Sequence, residues 1–518
     1  MSSSLLAAVV VETLIASGVT DLVASPGSRN AALLLAAHQA EQRGRVRLHV
    51  RVDERVAGFL ALGLAKASER PVAVITTSGT AVANLAPAAM EARAAGVPLL
   101  ALTADRPAFL VGTGANQTGD QAGAFGPAGL AVVRLSSASG DEAAWSAAVQ
   151  RALASAAGLR TRQPGPVQLN LEFAPPLADA IPEVAVRVAR IDGARPGRVV
   201  ELDGRPATVV LAGDATPGAG AEARALAEVG GFPLLAEPSS NARAGDHAIA
   251  SYRRLLAGDL GRRIERVICV GHPTLSRPVS ALLARGDVEL IVVSDQARWH
   301  DPGLNAAVVA DRVLTEPGDP EWLAQWRVAD ARVRDEEVVS RTWGGPLVAA
   351  RVLASIGPDE NLVLGSSNAI RDADQAPIPA RAFPVYANRG LAGIDGVVST
   401  AAGIALASGR RTTVLLGDLT AQHDLGALVR PPLERRPDLR VVVSHDDGGS
   451  IFSSLEQGAP EFGHAFERVF GTPQGLDLAA VASSLGWDAV EVRDVEALDR
   501  ELGAGREFIV ARIPRERR

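Results

Sequence analysis

Short apolar runs rich in Val, Ile and Leu alternate with helical patterns along most of the chain. Residues 71–77, PVAVITT, and 97–104, VPLLALTA, are two such runs, and the helical segment AVANLAPAAMEARAAG separates them. Apolar strands that alternate with helices are typical of parallel sheets covered on both faces. We therefore predict an α/β fold in which ligands bind at the carboxyl ends of the strands.

The length of the chain and two changes in composition predict three domains. The chain has 518 residues, and a domain usually takes about 150. The Pro-containing segment FAPPLADAIPEV and the charged segment 327–341 separate three groups of strand and helix patterns. The expected arrangement is three consecutive Rossmann-like parallel-sheet domains at residues 1–185, 190–325 and 340–518.

Composition excludes several classes of protein. The net charge is −7 and aromatic residues make up 4% of the chain, which argues against a nucleic-acid partner. The single cysteine, Cys269, lies in an apolar run and excludes a disulfide scaffold. The first residues contain no basic segment, Glu12 interrupts their apolar run, and no stretch is long enough for a membrane span. We expect a cytoplasmic protein.

Two acidic residues follow neighbouring apolar runs in the last third of the chain. Asp418 ends TTVLLGD, and Asp446 comes 28 positions later at the end of VVVSHD, ahead of Gly448 and Gly449. One strand–helix–strand step would bring both carboxylates to the same edge, where a divalent cation could hold a diphosphate. Two ordinary turns are the alternative, and turn chemistry is the preferred interpretation of the similar Gly-Asp at residues 213–214. We expect His445 to have a core or loop role.

Glu54 and a set of arginines also follow apolar runs. Glu54 precedes a very apolar helical segment, so its carboxyl could be buried, with a raised pKa suited to proton transfer. Helix-start acidity is the simpler explanation, and it is preferred for Asp53. In an acidic protein, arginines at such positions indicate an anionic substrate with carboxylates. They are Arg29, Arg106, Arg277, Arg371 and Arg389.

Together these motifs resemble one enzyme family. The matching segments are SPGSR, DER with GFLALGLAKAS, TSGTAVANLAPAAMEA, LTADRP, GANQT, GHPTLSRP, NRGLAGIDG, GDLTAQHDL and GGSIF, between about residues 5 and 460. Their order is similar to that of the 2-succinyl-5-enolpyruvyl-6-hydroxy-3-cyclohexene-1-carboxylate synthases, which are thiamine-diphosphate enzymes of menaquinone biosynthesis.

The resemblance implies a three-domain fold with pyrimidine-binding, central and diphosphate-binding domains. It implies decarboxylation of 2-oxoglutarate and 1,4-addition of the succinyl semialdehyde unit to isochorismate. The implied cofactors are thiamine diphosphate and Mg²⁺ or Mn²⁺. It also implies a homodimer or a dimer of dimers with active sites between subunits.

The resemblance assigns roles to individual residues. Glu54 corresponds to the glutamate that activates the cofactor, and Asp418, Asp446 and the Gly448 carbonyl correspond to metal ligands. Ile394 corresponds to the apolar residue beneath the bent cofactor. The remaining residues expected at the cofactor are Ser367, Gly417, Leu419, Thr420, Gly449, Ser450 and Ile451. Those expected at the substrates are Ser28, Arg29, Arg106, Asn116, Gln117, Arg277, Arg371, Arg389, Ile451, Phe452 and Leu455. Of these, Asn116, Gln117, Arg371 and Arg389 are expected to act in catalysis with Glu54.

Two residues depart from the usual pattern. Asp446 stands where asparagine is common and would add a negative charge at the metal. Asn30 stands where serine is common, next to Arg29. The alternatives are another thiamine-diphosphate carboligase, such as an acetohydroxyacid synthase, and a non-catalytic nucleotide-binding α/β protein.

Overall fold

The computed structural model describes residues 2–195, 197–204, 207–336 and 342–515. The predicted domain limits at residues 1, 340 and 518 lie outside these ranges. Within them, the chain divides into two compact units. Unit 1 contains residues up to 195 together with 390–409 and 424–438, and unit 2 contains the rest. The three-domain boundaries predicted above remain a prediction.

Unit 1 is built on a six-stranded parallel sheet with the strand order β2-β1-β3-β4-β6-β5. Its strands are β1 (Asp21–Ala24), β2 (Arg47–Val50), β3 (Val72–Thr76), β4 (Leu99–Asp105), β5 (Ala131–Ser136) and β6 (Pro166–Glu172). Its helices in this part of the chain are α1 (Ser3–Ala16), α2 (Ala31–Gln42), α3 (Glu54–Ser68), α4 (Thr80–Ala83), α5 (Ala86–Ala95) and α6 (Glu142–Ala156). Residues of α1, α2 and α6 form one buried apolar cluster with the sheet.

The central part of unit 2 has a five-stranded parallel sheet and a two-stranded one. The strands are β7 (Val199–Leu202), β8 (Thr208–Ala212), β9 (Leu234–Ala236), β10 (Arg266–Val270), β11 (Glu289–Val293), β12 (Ala306–Ala310) and β13 (Arg312–Thr315). The order is β12-β11-β10-β8-β9, and β13 pairs with β7. The helices are α7 (Pro217–Gly230), α8 (Tyr252–Leu255), α9 (Asp259–Arg262), α10 (Arg277–Leu283) and α11 (Pro320–Glu336).

The last part of the chain forms a second six-stranded parallel sheet, which belongs to unit 2. The strands are β14 (Asn361–Leu364), β15 (Val385–Ala387), β16 (Thr412–Gly417), β17 (Leu439–His445), β18 (Ala489–Val492) and β19 (Phe508–Arg512). The helices in this part of the chain are α12 (Gly345–Ala354), α13 (Asn368–Ala373), α14 (Val397–Ser408), α15 (Asp418–His423), α16 (Gly463–Phe466), α17 (Leu478–Ser484) and α18 (Val495–Gly503). Of these, α14 belongs to unit 1. The order β15-β14-β16-β17-β19-β18 repeats the order of the first sheet.

The predicted fold class is confirmed, because strands that pair in parallel alternate with helices along the described residues. In both six-stranded sheets the strand order reverses beside the first strand, which is where α/β sheets place their ligand crevice. Within the described ranges, no helix combines the length and the apolar character that crossing a membrane requires.

Helices α3 and α14 of unit 1 pack at close range through glycines. A Cβ atom on Gly63 of α3 would overlap the carbonyl oxygen of Thr400 in α14, and one on Gly403 would overlap the carbonyl oxygen of Leu60. Backbone atoms cannot move aside as a flexible side chain can, so only glycine fits at these two positions. This contact fixes α3, the helix that begins with Glu54.

We expect Gly63→Ala to lower the free energy of unfolding by at least about 1 kcal/mol, the usual scale of overpacking in a core. The matched control is Gly503→Ala at the last position of α18, where an added Cβ meets no atom within 4 Å. That change should stay within about 0.5 kcal/mol. Denaturant unfolding of both variants checks this, and equal stability would contradict the close α3–α14 contact.

Candidate active site

The carboxylate of Asp418 connects the ends of β16 and β17 in unit 2. Asp418 follows Gly417, the last residue of β16, and Asp418 is 6% exposed. Its Oδ2 accepts hydrogen bonds from the Gly448 amide at 2.9 Å and from His445 Nδ1 at 2.8 Å. Its Oδ1 accepts one from the Leu419 amide at 2.7 Å. The loop after β17 is therefore folded onto the end of β16.

Asp446 directly follows β17 and faces the same region. Burial raises the pKa of the Asp446 carboxyl, a hydrogen bond to Ser450 lowers it, and the charge of Asp418 raises it further. Two nearby carboxylates in a poorly solvated place are a donor set that fits a hard divalent cation with oxygen ligands.

A third acid, Asp447, also lies close to Asp418. One ligand atom each of Asp418, His445 and Asp447 lie within 4.8 Å of one another. However, Asp447 Oδ1 already accepts the amides of Gln474 and Gly475, at 3.1 and 2.9 Å. His445 is buried, which alone would lower its pKa, whereas its hydrogen bond to Asp418 raises it. His445 thus has the buried position expected of it and also contacts an expected metal ligand.

The other residues of unit 2 that are expected at the cofactor lie in three segments, before α13, at and after the end of β16, and after β17. Ser367 precedes α13 with φ of 71°, and the next residue, Asn368, donates to Ser450 Oγ at 2.9 Å. Thr420, Gly448, Gly449 and Ser450 are buried, whereas Leu419, Ile451 and Phe452 are partly buried and Leu455 is exposed. The Phe452 and Phe470 rings lie 5.8 Å apart, so Phe452, which is expected at the substrates, contacts a later segment of the chain.

Glu54 is the first residue of α3 in unit 1. Its Oε2 accepts a hydrogen bond from Asn84 Nδ2 at 3.2 Å, and Asp53 caps the helix by accepting the amides of Arg55 and Val56. The expectation that Glu54 is buried was wrong for the chain by itself, because its side chain is only partly covered. The buried residues of α3 begin at Val56, two positions after Glu54.

Ile394 lies in the segment before α14, which buried acids of unit 1 hold in place. Glu91 accepts the amides of Gly390 and Leu391, at 2.8 and 2.7 Å. Asp424 accepts the amide and hydroxyl of Ser399 in the first turn of α14, and burial raises the pKa of its carboxyl to about 6. Ile394 itself is partly buried.

Two of the expected substrate arginines lie together in unit 1. Arg106 is 8% exposed and donates to Ser78 Oγ at 2.6 Å and to the Gln117 carbonyl at 2.5 Å. Arg29 donates to the Phe173 carbonyl at 2.8 Å. Burial lowers the pKa of Arg29, and the positive charge of Arg106 lowers it further. Two close guanidinium groups, of which Arg106 is buried and Arg29 partly buried, are suited to an anion.

The neighbouring residues complete this group. Gln117 has φ of 54° and donates through Nε2 to the Ser78 carbonyl at 2.9 Å. Asn116 and Ser28 are exposed. Asn30, the departure from the usual serine, is fully buried and donates to the Ser25 carbonyl at 2.8 Å, so it fixes the loop that carries Arg29.

Two further arginines lie together in unit 2. Arg389 is 4% exposed and donates to Thr274 Oγ1 at 2.7 Å, and Arg371 donates to the Ser367 carbonyl at 2.7 Å. Burial lowers the pKa of Arg371, and the charge of Arg389 lowers it further. Arg277, the remaining member of the expected set, is exposed at the start of α10.

The sequence interpretation missed several residues that support these groups. Ser78 and Thr274 contact arginines, and Asp424 and Glu237 are buried carboxylates beside helix and loop backbones. Glu237 follows the apolar strand β9 as Asp418 follows β16, so the same pattern could have identified it.

Comparison with known proteins assigns a family. Residues 5–124 match the family described as thiamine pyrophosphate enzyme, N-terminal TPP binding domain. The 2-succinyl-5-enolpyruvyl-6-hydroxy-3-cyclohexene-1-carboxylate synthase of Kineococcus radiotolerans is 49% identical, covering 93% of this chain and 90% of the relative. The synthase of the same name from Nocardioides sp. is 44% identical, with 98% and 95% covered.

A solved structure supports the fold alone. Benzoylformate decarboxylase from Polynucleobacter necessarius superimposes with a TM-score of 0.71 at 17% identity, covering 100% of this chain and 99% of that one. Given the relatives that match nearly its whole length, this chain belongs to the 2-succinyl-5-enolpyruvyl-6-hydroxy-3-cyclohexene-1-carboxylate synthase family of thiamine-diphosphate enzymes.

Proposed function

We propose that this chain decarboxylates 2-oxoglutarate and adds the succinyl semialdehyde unit to isochorismate by 1,4-addition. The products are 2-succinyl-5-enolpyruvyl-6-hydroxy-3-cyclohexene-1-carboxylate and CO₂, in menaquinone biosynthesis. The observation that carries this proposal is the 49% identity to a synthase of that name over 93% of the chain. The acetohydroxyacid synthase and nucleotide-binding alternatives have no comparable support.

The residues after β16 and β17 fit a metal-bound diphosphate. Bound thiamine diphosphate supplies an electron sink that makes the loss of CO₂ from a 2-oxo acid and the following carbon–carbon bond formation possible. Asp418, Asp446 and the Gly448 carbonyl would hold Mg²⁺ or Mn²⁺, whose charge offsets the diphosphate. The raised pKa of Asp446 supports this role, since a cation would relieve its repulsion with Asp418.

Glu54 would hold a proton against a ring nitrogen of the aminopyrimidine. Its hydrogen bond from Asn84 orients the carboxylate at the start of α3, and the glycine contact with α14 holds that helix. Ile394 would pack beneath the cofactor, on a segment that Glu91 anchors.

The arginines would bind the carboxylates of the two substrates, both of which are dicarboxylates. Arg29 and Arg106 form one cationic pair, and Arg371 and Arg389 form another, with Arg106 and Arg389 buried and the other two partly buried. Guanidinium binds a carboxylate through two parallel hydrogen bonds. Asn116 and Gln117 would place polar groups near the reacting atoms, and Phe452 and Leu455 would contribute apolar surface.

We also propose a homodimer or dimer of dimers in the cytoplasm. Large apolar side chains of unit 1 are exposed in the single chain, with Val52 at 83%, Phe109 at 76% and Leu433 at 96%. Such exposure supports an interface. Light scattering should give the mass of two or four chains, and the mass of one chain at micromolar concentration would contradict this.

The proposed function is tested by identifying the product. The cofactor-loaded protein is incubated with isochorismate and 2-oxoglutarate labelled with ¹³C at C1, and the products are analysed by mass spectrometry. We expect labelled CO₂ and an unlabelled adduct. If the protein turns over pyruvate as fast as 2-oxoglutarate, the proposed specificity for 2-oxoglutarate is contradicted, and only a general carboligase activity is supported.

We expect Glu54→Gln to lower turnover by about 10²-fold or more, the scale of a lost acid–base contribution, while thiamine diphosphate still binds. The matched control is Glu142→Gln, which makes the same change at the first residue of another helix that an aspartate caps. Steady-state rates and cofactor titrations measure both. Near-normal turnover in Glu54→Gln would remove Glu54 from the chemistry.

We expect Arg371→Ala and Arg389→Ala each to lower kcat/KM by tens- to thousands-fold, with cofactor affinity little changed. A buried substrate carboxylate would lose its charged partner, at a cost of about 2–5 kcal/mol. Lysine should rescue only in part, because it lacks the planar fork. The control is Arg312→Ala at an exposed position in β13. Unchanged kcat/KM for both substrates in both variants would contradict the assignment.

A further inference from the structure

Glu237 is a buried carboxylate in unit 2 that has no role in the function proposed above. It directly follows β9 and is 2% exposed. Its Oε1 accepts the amides of Thr274 and Leu275, at 3.1 and 2.9 Å, and its Oε2 lies 3.2 Å from the Thr274 amide. The loop after β10 is therefore attached to the end of β9 through one carboxylate.

The same loop holds Arg389 through two side chains. Thr274 Oγ1 accepts a hydrogen bond from Arg389 Nη2 at 2.7 Å. The His272 ring hydrogen-bonds to the Arg389 backbone and stacks on His300 with 3.6 Å between ring centroids. The loop after β10 therefore connects Glu237 to Arg389. Glu237 holds the backbone amides of this loop, and Thr274 in the same loop accepts a hydrogen bond from Arg389.

We infer that Glu237 is a positioning residue for the substrate carboxylate that Arg389 binds, and that binding of this carboxylate is coupled to uptake of a proton by Glu237. This inference rests on the proposed function, since it assumes that Arg389 meets a substrate.

The charges around Glu237 support the coupling. The pKa of Glu237 is raised to about 7, with burial as the largest cause. The charge of Asp374 also raises this pKa, whereas the hydrogen bonds from the Leu275 and Thr274 amides and the charge of Arg389 lower it. The other titratable groups that it influences are Tyr252, Cys269 and Arg371. Asp374 is itself fully buried and paired with Arg253 at 2.9 Å. Arg389 favours the ionised form of Glu237, and Arg371 does so too, because its charge and that of Glu237 attract each other.

A substrate carboxylate on Arg389 would reduce this favourable effect and add a negative charge nearby. Both changes raise the pKa of Glu237 in the bound state, so the protein takes up a proton on binding. Binding is then strongest at a pH below about 7, where Glu237 is protonated in both states, and weakens as the pH rises through that value. A rise of one unit in the pKa would change KM by up to about tenfold.

The first test compares KM between pH 6.5 and 8.5 in cofactor-loaded protein. We expect the KM for one substrate of the parent to rise with pH, and this rise to disappear in Glu237→Gln. Thr274→Val, which keeps the backbone amide but removes the acceptor for Arg389, should raise KM about tenfold and keep the pH dependence. Neither change should alter kcat more than about threefold. A parent-like slope in Glu237→Gln, or an unchanged KM in Thr274→Val, would overturn the inference.

The control is Glu289→Gln, the same chemical change at a more exposed glutamate of unit 2 that pairs with Arg266. It should keep both the KM and the slope of the parent, and loss of the slope there would also overturn the inference. If Glu237→Gln does not fold, the KM of Thr274→Val and the calorimetric titration of the parent described next test the inference instead.

The second test separates this inference from the proposed function. Glutarate has the two carboxylates of 2-oxoglutarate without the 2-oxo group, and it is titrated calorimetrically into cofactor-loaded parent at pH 7.5 in phosphate and in Tris. We expect heats that differ between the buffers by a fraction of one proton taken up. Binding without proton uptake would overturn the coupling even if the parent forms the product. Proton uptake without product formation would sink the proposed function instead.

Discussion

Parallel strand pairing is the constraint on which the rest of this structure depends. Every strand pair in the described sheets is parallel, and the two six-stranded sheets share one strand order. Parallel pairing requires a crossover after each strand and so places all carboxyl ends at one edge. Asp418, Asp446 and Glu237 all lie just beyond such ends. Within each sheet, residues distant in the chain are therefore brought to the same edge.

Several residues at these edges, such as Asp418 and Glu237, carry charged groups that are buried. Leaving such a group unpaired is expensive, and the chain limits that cost by attaching carboxylates to backbone amides. Asp418 binds the Gly448 amide, Glu237 the Leu275 amide, and Asp424 the Ser399 amide. The buried arginines are different, because close guanidinium groups repel each other. A bound dianion would offset this repulsion, and this is the physical reason for the proposal that these groups bind the dicarboxylate substrates.

The sequence predicts the fold class and most strands because their apolar runs are nearly continuous, as in β3 and β16. It does not predict β6, a central strand, because the buried Gln168 and Asn170 interrupt its apolar pattern. Their side chains donate to Thr103 and Asp105, so the cost of burial is offset by contacts that periodicity cannot show. Similarly, the sequence predicts that an acid after a strand is a turn residue or a ligand. It does not predict which group that acid contacts. The sequence thus predicts Asp418 at the site, whereas the attachment of Glu237 to Thr274 is seen only in the structure.

The central claim is that the ends of β16 and β17 bind the cofactor through a divalent metal. Calorimetric titration of thiamine diphosphate with Mg²⁺ into the parent, Asp418→Ala and Asp488→Ala tests it most directly. Asp488 is an exposed acid of the same unit, paired with Arg506. We predict saturable binding to the parent and to Asp488→Ala, and affinity at least about 100-fold lower in Asp418→Ala, a loss of about 2.7 kcal/mol. Equal affinity in all three proteins, or no binding to the parent, would contradict the account.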